Sequence, residues 1–225
     1  MSEKVPIIQA DFDRIALLSG EAAEPARHYY RFLLRQVPAR CQEALEIGCG
    51  TGAFTRLLAA RSAQVLALDL SPQMLNVARE RSAQFANIDF RLADVSEWEF
   101  PAARFDCIVT IATLHHLPMR QMLRRMKDAL KTNGSLLILD LFEPEGISDL
   151  AANALAVPLS CALRLARTGR LRVSAEARRA WAEHERHDSF LTIGEVRRDC
   201  ADILPGALVR KHLLWRYTVV WRKTG

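Results

Sequence analysis

The chain lacks anything that reads as an export signal. Its N-terminus, MSEKVPIIQADFD, mixes acidic and basic residues and has neither an uninterrupted apolar stretch nor a small-residue cleavage site, so a cytoplasmic protein is expected. No apolar run is long enough to span a bilayer. The most apolar stretch, 150–163, falls short of the roughly 20 residues required and contains Asn153 and Pro158. Cysteines number five (Cys41, Cys49, Cys107, Cys161 and Cys200), odd and widely spaced. That pattern argues against a disulfide framework or a metal knuckle and suits free buried thiols. Internal repeats and low-complexity tracts are absent. What remains is 225 residues, 50% hydrophobic and 25% charged, the composition of one globular domain with a sizeable core.

Neither sign of charge is scarce. The net charge of +5 and pI of 9.2 leave a basic surface on which the two signs are mostly interleaved. Only 164–186 is lopsided, with Arg164, Arg167, Arg170, Arg172, Arg178, Arg179 and Arg186 against three glutamates. Such a run reads as a solvated helix face; a platform for an anionic substrate, membrane surface or nucleic acid is the alternative. The stretch His184-Glu185-Arg186-His187-Asp188 invites a metal reading, but its histidines are three apart, without zincin spacing. It too reads as a solvated helix face, and no metal is expected.

From about Glu43 to Phe142, short runs rich in Val, Ile and Leu alternate with segments of helical period. The runs are 44–47, 64–69, 88–92, 105–111 and 135–142. Ser71-Pro72 reads as a helix N-cap with proline at the first helical position. Met119, Met122, Leu123, Met126 and Leu130 form one apolar stripe, and Asn133-Gly134 is expected to stop that helix. The expected fold is α/β: a doubly wound, mostly parallel sheet, with 207–215 and 217–222 pairing as an antiparallel hairpin. A helix is expected over 25–37.

The first run ends in Glu46-Ile47-Gly48-Cys49-Gly50-Thr51-Gly52 and passes straight into a helical pattern. Glycines at such a turn permit positive φ and let a ligand press against bare backbone. The dinucleotide fingerprint has its third glycine three residues after the second; here it is two after, and Glu46 precedes the loop. A phosphate would gain nothing from that carboxylate, which disfavours an NAD-linked oxidoreductase. No Gly-Lys-Ser/Thr follows, which excludes a Walker loop. Asp69, nineteen residues after Gly50, can accept from both hydroxyls of a ribose, its alternative being a helix N-terminal acid. Asp94 can accept from an adenine amino group, or is a surface loop aspartate.

These motifs together, with Ser71-Pro72-Gln73-Met74-Leu75, Ala93-Asp94-Val95 and Phe105-Asp106-Cys107-Ile108-Val109, resemble the ordered set of class I S-adenosylmethionine-dependent methyltransferases. Leu114-His115-His116-Leu117 is similar to the branch containing quinone-biosynthesis methyltransferases. The resemblance covers 43–142 and extends to the terminal hairpin. It implies a Rossmann-like seven-stranded sheet and S-adenosyl-L-methionine as cofactor. Glu46, Gly48, Cys49, Gly50 and Gly52 would pass its methionine part and Asp69 its ribose. Leu70 and Met74 would flank the adenine, with Asp94 and Val95 at its edge and Thr110 and Ile111 beneath.

The carboxyl edge of such a sheet is where ligands bind, so His115 and His116 are candidate bases or substrate orienters; a structural histidine is the alternative. A helical cap over 1–40, with Phe12, Asp13, Tyr29 and Tyr30, and a helical insertion over 147–190 acting as a lid are expected to select the acceptor. Core packing is the alternative for each aromatic. A small-molecule acceptor is expected, with no nucleic acid. An RNA or protein methyltransferase, or a non-catalytic cofactor-binding protein, remain alternatives.

Overall fold

The computed structural model describes residues 4–18, 25–146, 175–186 and 188–225. Of the expected lid, 147–174 and His187 lie outside the described residues, as do Cys161 and the four arginines from Arg164 to Arg172. Among the described residues no helix is long and apolar enough to cross a membrane.

Seven strands form one sheet: β1 (Cys41–Ile47), β2 (Ser62–Asp69), β3 (Ile88–Leu92), β4 (Phe105–Ile111), β5 (Leu130–Leu141), β6 (Leu208–His212) and β7 (Arg216–Arg222). Their order is β3-β2-β1-β4-β5-β7-β6, parallel from β3 to β5 and antiparallel at β7 and β6. The helices are α1 (Lys4–Leu18), α2 (Tyr30–Gln36), α3 (Ala53–Ala59), α4 (Pro72–Arg81), α5 (Met119–Ala129), α6 (Ala175–His184) and α7 (Ile193–Ile203).

Successive strand residues point to opposite faces, so the apolar runs cover both. Ile47, Leu68, Ile108 and Ile138 pack with α5 and α7, whereas Ala44, Val65, Val109 and Leu139 pack with α2 and α3. The α5 stripe of Met119, Met122, Leu123 and Met126 is buried as its spacing requires. Ser71 caps α4 by accepting from the Met74 N–H at 3.0 Å, with Pro72 at the first position.

Three boundaries differ from expectation. Helix α5 stops at Ala129, and Leu130, the last residue of the stripe, already lies in β5. It is Asn133, at φ 65, that takes the left-handed conformation; Gly134 instead lets the chain pass tightly, since a Cβ there would stand 2.9 Å from the Lys131 carbonyl oxygen. Over 25–37 the first turn is a 3-10 helix, Pro25–Tyr29, before α2. The first hairpin strand is shorter than expected because Leu214 and Trp215, at φ 61 and 53, form the turn itself, while the second begins one residue earlier, at Arg216.

Candidate active site

The strand order reverses between β1 and β4, which opens a crevice beyond their carboxyl ends, where open α/β sheets bind ligands. The glycine loop forms one side of it. Gly48 and Cys49 both donate to the Leu68 carbonyl (2.8 and 3.0 Å), closing the turn over the end of β2. Gly48 has φ 70, and a Cβ on it would lie 2.0 Å from Thr113 Oγ1, so only glycine fits against the segment that leaves β4. Gly50 differs. Its φ is 51, yet a Cβ there meets nothing within 4 Å, so its backbone faces open space.

Asp69 holds this loop from below. Its Oδ2 accepts from the Gly50 N–H at 2.7 Å and its Oδ1 from the Ser71 N–H at 2.9 Å. Burial outweighs those bonds and raises its carboxyl to about 6. Burial likewise pushes the Cys49 thiol well up, with the Asp69 and Glu46 carboxylates adding, so it is no nucleophile at neutral pH. Asp94 Oδ1 accepts from the Ser96 N–H at 2.9 Å. Its loop is clamped by Arg125 on α5, whose guanidinium donates to the carbonyls of Val95, Ser96 and Trp98 and stacks 4.8 Å from the centre of the Phe100 ring.

Glu46 is buried at the end of β1, and Thr110 Oγ1 is buried without a hydrogen-bond partner among the described residues. Ile111 and Leu70 are half-buried, and Val95 is in the core. Met74 lies beneath α1 and α6 with Ile15 and Ala180. Bare backbone at Gly50, held by the Asp69 carboxylate and with Glu46 and Asp94 at the ends of the neighbouring strands, suits a cationic nucleoside sulfonium better than a pyrophosphate.

The other side of the crevice begins where Ala112, at φ 50, turns the chain out of β4 into one 3-10 turn, Leu114–His116. The His115 N–H donates to Asp140 Oδ2 at 2.9 Å, and its ring Nδ1 lies 2.6 Å from Asp140 Oδ1. Burial lowers the His115 pKa, but the Asp140 charge and hydrogen bond overcome it, and the net shift is upward. Asp140 is a β5 residue, 1% exposed.

Over this turn sit α1 and α6. Asp13 ties α1 to the start of α4, accepting from Ser71 Oγ at 2.5 Å and the Gln73 N–H at 3.2 Å. Arg14 pairs with Glu183 to join α1 to α6. Phe12 stacks against both His116 and His184, with ring centroids 5.7 and 4.5 Å apart. Of the expected substrate aromatics, only Phe12 meets the histidines. Tyr30 is a core residue edge-on to Phe54, and Tyr29 donates to the Leu213 carbonyl beside His212.

The reading of 184–188 as a solvated face is corrected. Glu185 and Arg186 are exposed, but His184 is 2% exposed and the Asp188 side chain 5%. His184 Nδ1 faces Asp11 Oδ2 at 3.3 Å, while Asp188 lies 3.4 Å from His116 Nδ1 and 3.9 Å from His115 Nε2. Ala180 and His184, four residues apart, share one buried face of α6, and Asp188 follows beyond its end; the excess of arginine around them hid the signal.

Comparison with known proteins agrees with this architecture. A methyltransferase domain family matches residues 44–134. An uncharacterized methyltransferase of Mycobacterium tuberculosis is 31% identical over 198 residues, covering 87% of this chain and 94% of the relative. A demethylmenaquinone methyltransferase of Tropheryma whipplei is 36% identical over 104 residues, 46% of this chain and 43% of its own. Among solved structures, the N-methyltransferase NodS from Bradyrhizobium japonicum, in complex with S-adenosyl-l-homocysteine, superposes with a TM-score of 0.65 at 18% identity, over 97% of this chain and 99% of that one.

A methyltransferase fold, with its cofactor crevice at the switch point, is thus what the chain builds. It belongs to the class I S-adenosylmethionine-dependent methyltransferase family.

Proposed function

We propose that the chain methylates a small molecule, taken up between the glycine loop and the roof formed by α1 and α6. The observation that carries this is the roof. Asp188 comes within 4 Å of the turn after β4, and Phe12 and His184 lie over His116, a cover that in this reading suits a small molecule better than a duplex or a folded protein surface. In this reading Gly48, Gly50 and Gly52 line the methionine part of the cofactor, and Asp69 turns its remaining lone pairs to the ribose. Asp94 meets the adenine.

When bound, S-adenosylmethionine supplies an electrophilic methyl group on a sulfonium. The protein's task is to aim an acceptor atom in line with it and keep water away, and positioning of this kind is worth about 7–11 kcal/mol. The imidazoles and carboxylates beyond Thr113 give the acceptor end the means to draw a proton from a hydroxyl, worth roughly 10²–10⁴-fold in rate.

The test is incubation of the enzyme with methyl-labelled cofactor and fractionated cell extract. Label in the low-mass fraction is expected; label confined to RNA or protein overturns the reading.

A further inference from the structure

We propose that His115, His116 and Asp188 bind a first-row divalent cation, zinc by preference, at the acceptor end of the crevice. The existence of this site is independent of the acceptor reading above; only its use in catalysis rests on that reading.

Geometry comes first. One ligand atom from each of the three residues lies within 4.8 Å of the other two. His116 Nδ1 is 3.4 Å from Asp188 Oδ1, and His115 Nε2 is 3.9 Å from Asp188 Oδ2. Ligands held at about 2.0–2.2 Å around a tetrahedral ion stand roughly 3.3–3.6 Å apart, so small side-chain adjustments close the site. His184 stands beside these three, its Nε2 3.7 Å from Asp188 Oδ1, where it holds the carboxylate without being counted as a ligand.

The surrounding carboxylates make the same point. Metal-binding imidazoles characteristically give their second nitrogen to a carboxylate, which fixes the tautomer and turns the first nitrogen to the metal. His115 Nδ1 is held by Asp140 at 2.6 Å and His184 Nδ1 faces Asp11 at 3.3 Å, leaving Nε2 of each directed to the Asp188 side. Two histidines oriented in this way by separate carboxylates, from β5 and α1, form a preorganised pair.

Charge supplies the third argument. Asp140 and Asp188 are both nearly inaccessible to water, and the buried Arg216, close enough to act on His115, supplies one positive charge beside them. A bound cation would supply the remainder and let the imidazoles stay neutral ligands. Imidazole nitrogen with one carboxylate and no thiolate suits zinc, and also iron or manganese. Three protein ligands leave a position for an acceptor hydroxyl, which the ion would acidify. Methylation of that oxygen forms its bond to carbon and breaks the sulfur–carbon bond. The electron pair stays on sulfur as a neutral thioether, and the hydroxyl proton leaves to water.

The test uses the tag-free full chain, stripped with chelator and titrated with Zn²⁺ against a chromophoric competitor. One equivalent should bind. Asp188→Asn and His116→Gln should each weaken it at least about tenfold, and Asp140→Asn, which acts by positioning His115, by about 10–100-fold. Calorimetric affinity for S-adenosylmethionine should stay within about twofold in all three, which also certifies their fold. Co²⁺ added to the native chain should give visible ligand-field bands of an imidazole-bound four-coordinate ion, a readout that needs no variant. No stoichiometric zinc in the native chain, or unchanged zinc affinity in a folded Asp188→Asn, overturns the site. A chain that binds S-adenosylmethionine but no zinc loses this inference alone; one that binds zinc but labels no small molecule loses only the acceptor reading.

Discussion

The two walls of the crevice are built in opposite ways. The proposed cofactor wall comes from consecutive strand ends, Glu46–Gly52, Asp69–Met74 and Asp94–Val95, each carried by a short stretch of chain. The proposed acceptor wall gathers Phe12 from α1, His115 and His116 from the turn after β4, Asp140 from β5, His184 from the end of α6 and Asp188 from the segment beyond it. Chemistry fixed by backbone geometry is local in sequence; chemistry made of side chains from several elements is not.

Substitutions should separate the walls. The largest effect is expected at Gly48→Ala, where left-handed φ and overlap with Thr113 together cost on the order of 3–5 kcal/mol. Calorimetric melting should show Tm about 10 °C lower. Adding Thr113→Gly should recover much of that; no recovery would mean the strain lies in the loop alone.

Next comes Asp69→Ala. It removes an acceptor shared by two backbone donors, and each bond to a charged group is worth about 1.5–3 kcal/mol. Affinity for S-adenosylmethionine should fall roughly 100-fold in calorimetry, whereas Asp188→Asn should leave it nearly unchanged. Equal losses in the two variants would break the division into walls.

Gly50→Ala is expected to be milder. Open space leaves only the backbone cost of about 1–2 kcal/mol, so a loss of cofactor affinity larger than the loss of stability would put the ligand against that residue.

The smallest effect is a pH dependence. The folded protein holds the Asp69 proton more tightly than the unfolded chain, because its carboxyl sits at about 6 rather than 3.8. Stability from this group therefore increases as pH falls from about 6 toward 4 and is flat above 6. Cofactor binding should run the other way, weakening several-fold below pH 6 as the acceptor loses its charge. Asp69→Asn should flatten that profile in a titration between pH 5 and 8.

The same contrast explains what could be read in the chain. Strand β4 falls where its Val, Ile and Leu run placed it, because a doubly covered strand needs a continuous apolar segment and little else does; β3 also falls at 88–92, although this edge strand is half exposed and carries Asp89 and Arg91. The end of α5 was misjudged, since Leu130 is buried equally well by a helical stripe or by β5. Asp140 carried no signal: within Leu-Asp-Leu it reads as an interruption of a strand, and only pairing with the turn after β4 gives it a histidine to hold. Asp11 was equally silent, and Asp13, expected in the cap that selects the acceptor, gave no sign of its tie to α4, because what they touch lies at least 58 positions away in the chain.

Gly48 and Thr113 meet so closely that position 48 cannot change ahead of position 113. A bulkier residue at 48 is admissible only after 113 has been cut back, and even then it inherits an unfavourable backbone. The path to a new acceptor preference therefore runs through the roof and the histidines, where side chains can be exchanged one at a time, and leaves the seam between the walls untouched.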